Sequence, residues 1–171
     1  MESALGQAFG SCEAFGEGLD PRFPRFFVIS FDTNIVVHAA NADSENSPQA
    51  RAFLEETGQR KDVVICELML VEVFLKLCNH KIFSNPLSSS ESWDFCDRLR
   101  RNRNWRMVEA APVMDDVWKL SRERSFPFRR IIDLRLGLTL RHFRVEEFAT
   151  TNGKDFQSIG FRRVWNPLTK K

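Results

Sequence analysis

Short apolar runs alternate with amphipathic stretches along the whole chain. Phe26-Phe27-Val28-Ile29-Ser30-Phe31 is rich in aromatic and β-branched residues and ends abruptly in Asp32-Thr33-Asn34. That is the pattern of a buried parallel strand delivering a carboxylate to its C-terminal edge, where ligands and catalytic groups collect in open α/β sheets. After 35–40 and a polar loop, Pro48 fits the first turn of a helix capped by Ser47, with Ala50, Phe53 and Leu54 as its buried stripe and Gly58 closing it. Residues 62–66 read as a second strand. From Glu67 to about Asn79 the pattern is helical, with Leu68, Val71, Leu75 and Cys78 at the spacing of a buried face. A serine-rich loop over 81–92 precedes a helix that opens at Ser92 and runs into an arginine-rich segment ending at Arg106. Residues 106–110 read as a third strand, and Pro112 then starts a helix carrying Val113, Val117 and Leu120 on one face. Phe126-Pro127-Phe128 breaks it, and another helix spans about 129–144, with Ile132, Leu136 and Leu140 as its core stripe. A fourth strand over 145–150 ends in a second polar cluster, and a last strand covers 161–165.

Strands alternating with helices predict one α/β domain over 26–168, a central parallel β-sheet of about five strands with helices on both faces. Residues 1–25, weakly acidic and punctuated by Gly6, Gly10, Gly16 and Gly18, read as a flexible N-terminal extension, and 169–171 as a tail. The 171-residue length suits one domain with a real core. No apolar run approaches the roughly 20 residues a membrane span needs, and the first 21 residues lack Lys and Arg, so a charged secretory start is missing. A cytoplasmic protein is expected. Cys12, Cys66, Cys78 and Cys96 form no C-x-x-C pair and no metal-ligand rhythm with the three histidines, which argues against zinc or a disulfide framework. The net charge of +2 conceals arginines crowded into the second half of the chain. Their planar forks suit phosphate, so a nucleic-acid partner is allowed though not demanded.

Four acids stand where one sheet edge could gather them: Asp32 after the first strand, Glu72 on the helix after the second, Asp133 on the helix before the fourth, and Asp155 after the fourth. Three of them have a plainer reading. Asp32 could cap a helix, Glu72 could sit at a rim with its head in water, and Asp133, like Asp115 and Asp116, could complement a helix dipole in a first turn. Gathered, the four would repel and raise one another's pKa values unless a hard cation neutralised them, and all-oxygen ligands suit Mg²⁺ or Mn²⁺. Such a site hydrolyses phosphodiesters well. Elsewhere, Arg98, Arg100, Arg101, Arg103 and Arg106 surround Trp105 and could hold phosphates while the indole stacks on a base; the alternative is a solvated helix end.

These residues resemble the PIN-domain family, and in particular the VapC-type toxins of bacterial toxin–antitoxin pairs. Ile29-Ser30-Phe31-Asp32-Thr33-Asn34-Ile35 is similar to the family's first motif, and Leu70-Val71-Glu72-Val73 to the second. Ile131-Ile132-Asp133-Leu134 resembles the third and Ala149-Thr150-Thr151-Asn152-Gly153-Lys154-Asp155-Phe156 the fourth, with Val164-Trp165-Asn166-Pro167 trailing. The resemblance implies a metal-dependent ribonuclease, dimeric and restrained by a cognate antitoxin. It implies that Asp32, Glu72 and Asp133 hold Mg²⁺ or Mn²⁺, with Asp155 completing the cluster. Asn34 and Asn152 would orient water or a carboxylate, with Thr33 and Thr151 as supporting polar groups. Two other readings stay open: a PIN-like module that binds RNA without cutting it, and a DNA nuclease or phosphatase using the same metal chemistry.

Overall fold

The structure, a computed structural model, describes residues 28–169. The extension expected at 1–25, the start of the first predicted strand and the last two residues lie outside the described residues. Five strands, β1 (Ile29–Phe31), β2 (Val63–Cys66), β3 (Trp105–Val108), β4 (Glu147–Ala149) and β5 (Arg163–Trp165), form one sheet in the order β3-β2-β1-β4-β5. Every pairing is parallel. Among the described residues seven α-helices accompany them: α1 (Thr33–Ala40), α2 (Ser47–Gly58), α3 (Glu67–Leu77), α4 (Ser89–Arg100), α5 (Met114–Ser121), α6 (Ile131–His142) and α7 (Gly153–Phe156).

Strand order explains the position of β1. The chain winds outward from β1 to β2 and β3, then crosses back through α5 and α6 to place β4 on the other side of β1. The sheet therefore reverses its winding between β1 and β4, and a crevice opens there at the strand C-termini. Register shows that both faces are covered. Ile29 pairs with Val63 and Val63 with Trp105, so Phe31 and Trp105 share one face, where the rings meet at 5.3 Å and Phe53 of α2 adds an edge contact at 6.1 Å. Phe148 points the other way, against Phe156 of α7 at 4.5 Å and stacked on Phe161 at 5.0 Å.

Several boundaries and faces differ from expectation. Asn46, not Ser47, is the residue before α2; Ser47 is already helical and buried. α4 starts earlier than Ser92, at a capping box in which Ser88 Oγ accepts from the Glu91 amide at 3.3 Å and Glu91 Oε2 accepts from the Ser88 amide at 2.9 Å. α3 buries Met69, Leu70, Val73 and Leu77, whereas Val71 and Leu75 are 53% and 62% exposed. Apolar residues surround this helix, so more than one phase fits its sequence, and packing on the sheet selects the stripe at 69, 73 and 77. Ile132 is likewise exposed in the first turn of α6, a helix that buries Leu134 and every residue from Leu136 to Leu140.

Trp105 is a core residue. Its indole donates to the Thr57 carbonyl at 3.0 Å, and the side chain is not available to stack on a base. Arg106 points to the opposite sheet face, with its guanidinium 5.4 Å from the Phe143 ring centroid beyond the end of α6. The loop before β3 is pinned at the N-terminal edge of the sheet, where Asn102 and Asn104 donate to the Gly58 carbonyl at 3.2 and 3.0 Å. Arg101 and Arg103 therefore flank the edge opposite to Asp32. Arg100 is paired with Glu67 at 2.7 Å and Arg101 with Asp97 at 2.8 Å.

Gly137 shows how tightly α6 is seated. A Cβ there would stand 2.5 Å from Ile159 Cδ1 and 2.9 Å from its Cγ2, and Ile159 is itself fully buried. Alanine favours a helix interior by about 1 kcal/mol over glycine, but overpacking a core costs about 1–3 kcal/mol. Gly137→Ala is expected to lower the thermal midpoint, and adding Ile159→Val to recover part of the loss; a Gly137→Ala variant at least as stable as wild type would show that the contact is slack.

Candidate active site

Asp32 occupies the joint between β1 and α1. Its amide continues the sheet by donating to the Ala149 carbonyl at 2.8 Å, which fixes the residue at the crevice between β1 and β4. The side chain is 4% exposed. Oδ2 accepts from Thr150 Oγ1 at 2.7 Å and from Asn34 Nδ2 at 3.2 Å, while Oδ1 lies 3.5 Å from the Asn34 amide as the N-cap of α1. The cap and the site are thus one residue. Burial pushes the Asp32 carboxyl above its ordinary pKa, against the lowering effects of the Thr150 bond, Lys76 and the local amides.

α3 begins directly after β2 and brings Glu72 to the same crevice. Thr33 Oγ1 donates to Glu72 Oε2 at 3.2 Å, linking the first turn of α1 to α3. Burial raises the Glu72 pKa, Lys76 and Thr33 lower it, and Asp32 raises it. One turn beyond Glu72, Lys76 Nζ donates to Asn34 Oδ1 at 2.9 Å. Because Asn34 accepts from Lys76 through its oxygen, its amide nitrogen is left to donate to Asp32. The result is a chain from ammonium to amide to carboxylate.

α6 runs back towards β4, so its N-terminal turn lies at the strand C-terminal edge and carries Asp133 there. Asp133 is pushed up to about 6, first by burial, then by the charges of Asp32, Glu72 and Asp155, with Lys76 opposing. The other three acids thus lie within electrostatic reach of Asp133. Asp155 comes from α7, after β4, and its carboxylate accepts a short hydrogen bond from the Asn152 side chain. Arg130, in the 3₁₀ turn Phe128–Arg130 just before α6, donates to the Asp155 carbonyl at 3.1 and 2.7 Å and to Ser158 Oγ at 2.5 Å. Its Nε lies 4.0 Å from Asp155 Oδ1.

Asp32, Glu72, Asp133 and Asp155 therefore meet at one sheet edge, with Thr33 and Asn34 bonded to two of them and Asn152 to a third. Thr151 is half-buried beside them; Thr150, its neighbour, makes the bond to Asp32. Arg98, Arg100, Arg101, Arg103, Trp105 and Arg106 do not join this group. Thr150, Lys76 and Arg130 belong to the site's framework but escaped sequence reasoning. Lys76 had a signal, its i+4 position after Glu72; Arg130 and Thr150 had none beyond adjacency to the motifs.

As the side chains stand, no three acidic, imidazole or thiol groups among the described residues are close enough together to hold a metal ion. The donor set is nevertheless one of hard oxygens. Burial and mutual repulsion raise the pKa values of three of its acids, conditions that a hard divalent cation such as Mg²⁺ or Mn²⁺ relieves.

Known proteins resemble this chain in sequence and in fold. The PIN domain family matches residues 29–162. The chain is 45% identical over 142 residues to Ribonuclease VapC24 of Mycobacterium tuberculosis, in strains CDC 1551 / Oshkosh and ATCC 25618 / H37Rv, covering 83% of this chain and 98% of the relative. Among solved structures it is similar to FitAB bound to an IR36 DNA fragment, with a TM-score of 0.56 and 14% identity over 84% of this chain and 97% of that one. FitAcB from Neisseria gonorrhoeae gives a TM-score of 0.56 and 15% identity over 83% and 99% of the two chains. At such identity those two structures speak for the fold alone. The family match over 29–162 and the 45% identity over 83% of the chain lead to one assignment: the chain belongs to the PIN-domain family, among its VapC ribonucleases.

Proposed function

We propose that the chain is a metal-dependent endoribonuclease that serves as the toxin of a toxin–antitoxin pair. The observation that carries this reading is the meeting of Asp32, Glu72, Asp133 and Asp155 at one sheet edge, with Asp133 pushed up to about 6 by burial and by the other three acids. The name ribonuclease on relatives at 45% identity supports RNA as the substrate. Asp32, Glu72, Asp133 and Asp155 would hold Mg²⁺ or Mn²⁺. Bound there, the ion would supply a water of lowered pKa and neutralise charge on the scissile phosphate and leaving oxygen.

The remaining residues set the geometry of those ligands. Thr150 and Asn34 hold Asp32, Thr33 holds Glu72, and Asn152 holds Asp155, so each of these carboxylates has a donor on one oxygen. Lys76 offsets part of the acids' repulsion and fixes which way the Asn34 amide faces. A cognate antitoxin and a second copy of the chain are the partners in this reading, and the exposed Val71 and Leu75 of α3 give them apolar surface. No helix among the described residues is long and apolar enough to cross a membrane.

Cleavage of an oligoribonucleotide in Mg²⁺ or Mn²⁺ is expected to stop with chelator and to fall by about 100-fold or more in Asp32→Asn. Thr150→Val, which removes only an orienting bond, should cost about 10–100-fold. Cleavage indifferent to chelator and to Asp32→Asn would overturn the nuclease reading. RNA binding without metal uptake would point to a binding module instead.

The raised carboxyl pKa values also set a pH dependence. Between the ordinary carboxyl range and about 6 the folded chain holds more protons than the unfolded chain, so in EDTA its stability falls as pH rises through that window. Asp133→Asn removes one contributor, so the variant should gain on wild type between about pH 5 and about pH 7.5, and saturating Mg²⁺ should flatten the wild-type decline. An unchanged difference in thermal midpoint across that range would contradict the assignment of Asp133. Lys76→Met should lower the metal-free midpoint and tighten Mg²⁺ binding, both reversed in Lys76→Arg; calorimetric titration and EDTA melts read the two effects separately.

A further inference from the structure

We propose that Phe128 and Arg129 form a platform beside the acid site on which a base of single-stranded RNA stacks, with Arg129 and Arg135 meeting the flanking phosphates. The proposal rests on the ribonuclease reading and deepens it by naming where the strand lies.

Phe128 is 77% exposed, the most open of the large apolar side chains among the described residues. Its ring is partnered by the Arg129 guanidinium, whose Cζ lies 5.6 Å from the centroid. Topology fixes the place of this pair. α6 connects back to β4 and so starts at the edge where β1 ends, and Phe128–Arg130 is the turn that leads directly into it. Arg130 then ties the turn to the site, through its three bonds to the Asp155 carbonyl and Ser158. The close seating of Gly137 on Ile159 fixes α6 behind the turn.

A rigid aromatic face flanked by cations is the chemistry of single-strand recognition, because every base offers a π-face and every linkage a phosphate. Among the described residues neither Arg129 nor Arg135 forms an ion pair with a carboxylate, unlike Arg100, Arg101 and Arg130. Arg135, exposed two residues after Asp133, exerts its charge on Cys66 at the end of β2, on the same edge of the sheet. Sequence reasoning placed RNA contact at Arg98–Arg106, but that cluster has its tryptophan in the core and its loop at the far edge.

The test is the binding of a fluorescent mixed-sequence oligoribonucleotide to the full chain in EDTA, followed by anisotropy, with a hairpin duplex of equal length as comparison. One stacked base contributes about 1–3 kcal/mol, so Phe128→Ala should weaken single-strand binding by about 5- to 150-fold and Phe128→Trp should preserve it. Arg129→Ala should weaken binding and reduce the slope of log affinity against log salt by about 0.7. The pair Arg101→Ala with Arg103→Ala, on the opposite edge, should leave binding unchanged. At so exposed a position Phe128→Ala should melt with wild type, which separates binding from folding. Wild-type affinity in Phe128→Ala, equal loss from the opposite-edge pair, equal loss for duplex and single strand, or no RNA binding by wild type would each overturn the platform. A Phe128→Ala variant altered only in self-association would assign the ring to a protein contact and overturn it too. Persistent Phe128-dependent binding without cleavage would count against the nuclease reading alone; cleavage with indifferent Phe128 variants would count against the platform alone.

Discussion

The hydrogen bond from Thr150 Oγ1 to Asp32 Oδ2, 2.7 Å long and fully enclosed, joins the ends of the two central strands. A carboxylate that is 4% exposed would be costly without such a partner. Thr150 and Asn34 satisfy one of its oxygens, the other caps α1 by accepting from the Asn34 amide, and the Asp32 backbone amide extends the β1–β4 ladder. One residue therefore carries sheet pairing, helix initiation and site geometry. Moving the carboxylate would therefore disturb the ladder and the helix together.

Around this anchor the site is electrostatically strained. Burial raises the pKa of Asp32, Glu72 and Asp133, and the acids raise Asp133 further. Lys76 relieves part of the strain from within, and hydrogen-bond donors from α1, β4 and α7 relieve more. Nothing in this balance favours stability for its own sake. Apolar residues at 72 and 133 would pack without repulsion, and this strain is what the proposed cation would relieve.

The same physics decides what could be read from the chain. Asp32 was legible because a strand must end in a side chain at the sheet edge, and a polar triplet after an apolar run has few other readings. The parallel sheet was legible from alternation, and right-handed crossovers allow β1 and β4 to be neighbours without fixing the strand order. The faces of α3 and α6 were not, since both helices are apolar nearly all round and periodicity then leaves their phase to packing; hence Val71, Leu75 and Ile132 are exposed rather than buried. Glu72 nonetheless reached the site, because a flank of the helix serves both phases. The start of α4 was legible in Ser88-x-x-Glu91, a capping box hidden by the neighbouring serines. Thr150 depends on a contact 118 residues distant, which no local pattern encodes.

The arginine cluster shows why composition alone misplaces function. Five arginines around a tryptophan look like an RNA surface until the fold assigns each a direction. β3 begins at Trp105, so the loop before it must lie at the N-terminal edge of a parallel sheet, away from every acid of the site. Trp105 fills the core against Phe31, Arg106 leans over Phe143, and Arg100 and Arg101 face Glu67 and Asp97. The start of α6 obeys the opposite geometry: a helix that returns to a parallel strand must begin at the edge where the preceding strands end. Fewer arginines at that edge therefore count for more: Phe128, Arg129 and Arg135 lie at the edge of the sheet that carries the acids, whereas Arg103 lies at the other.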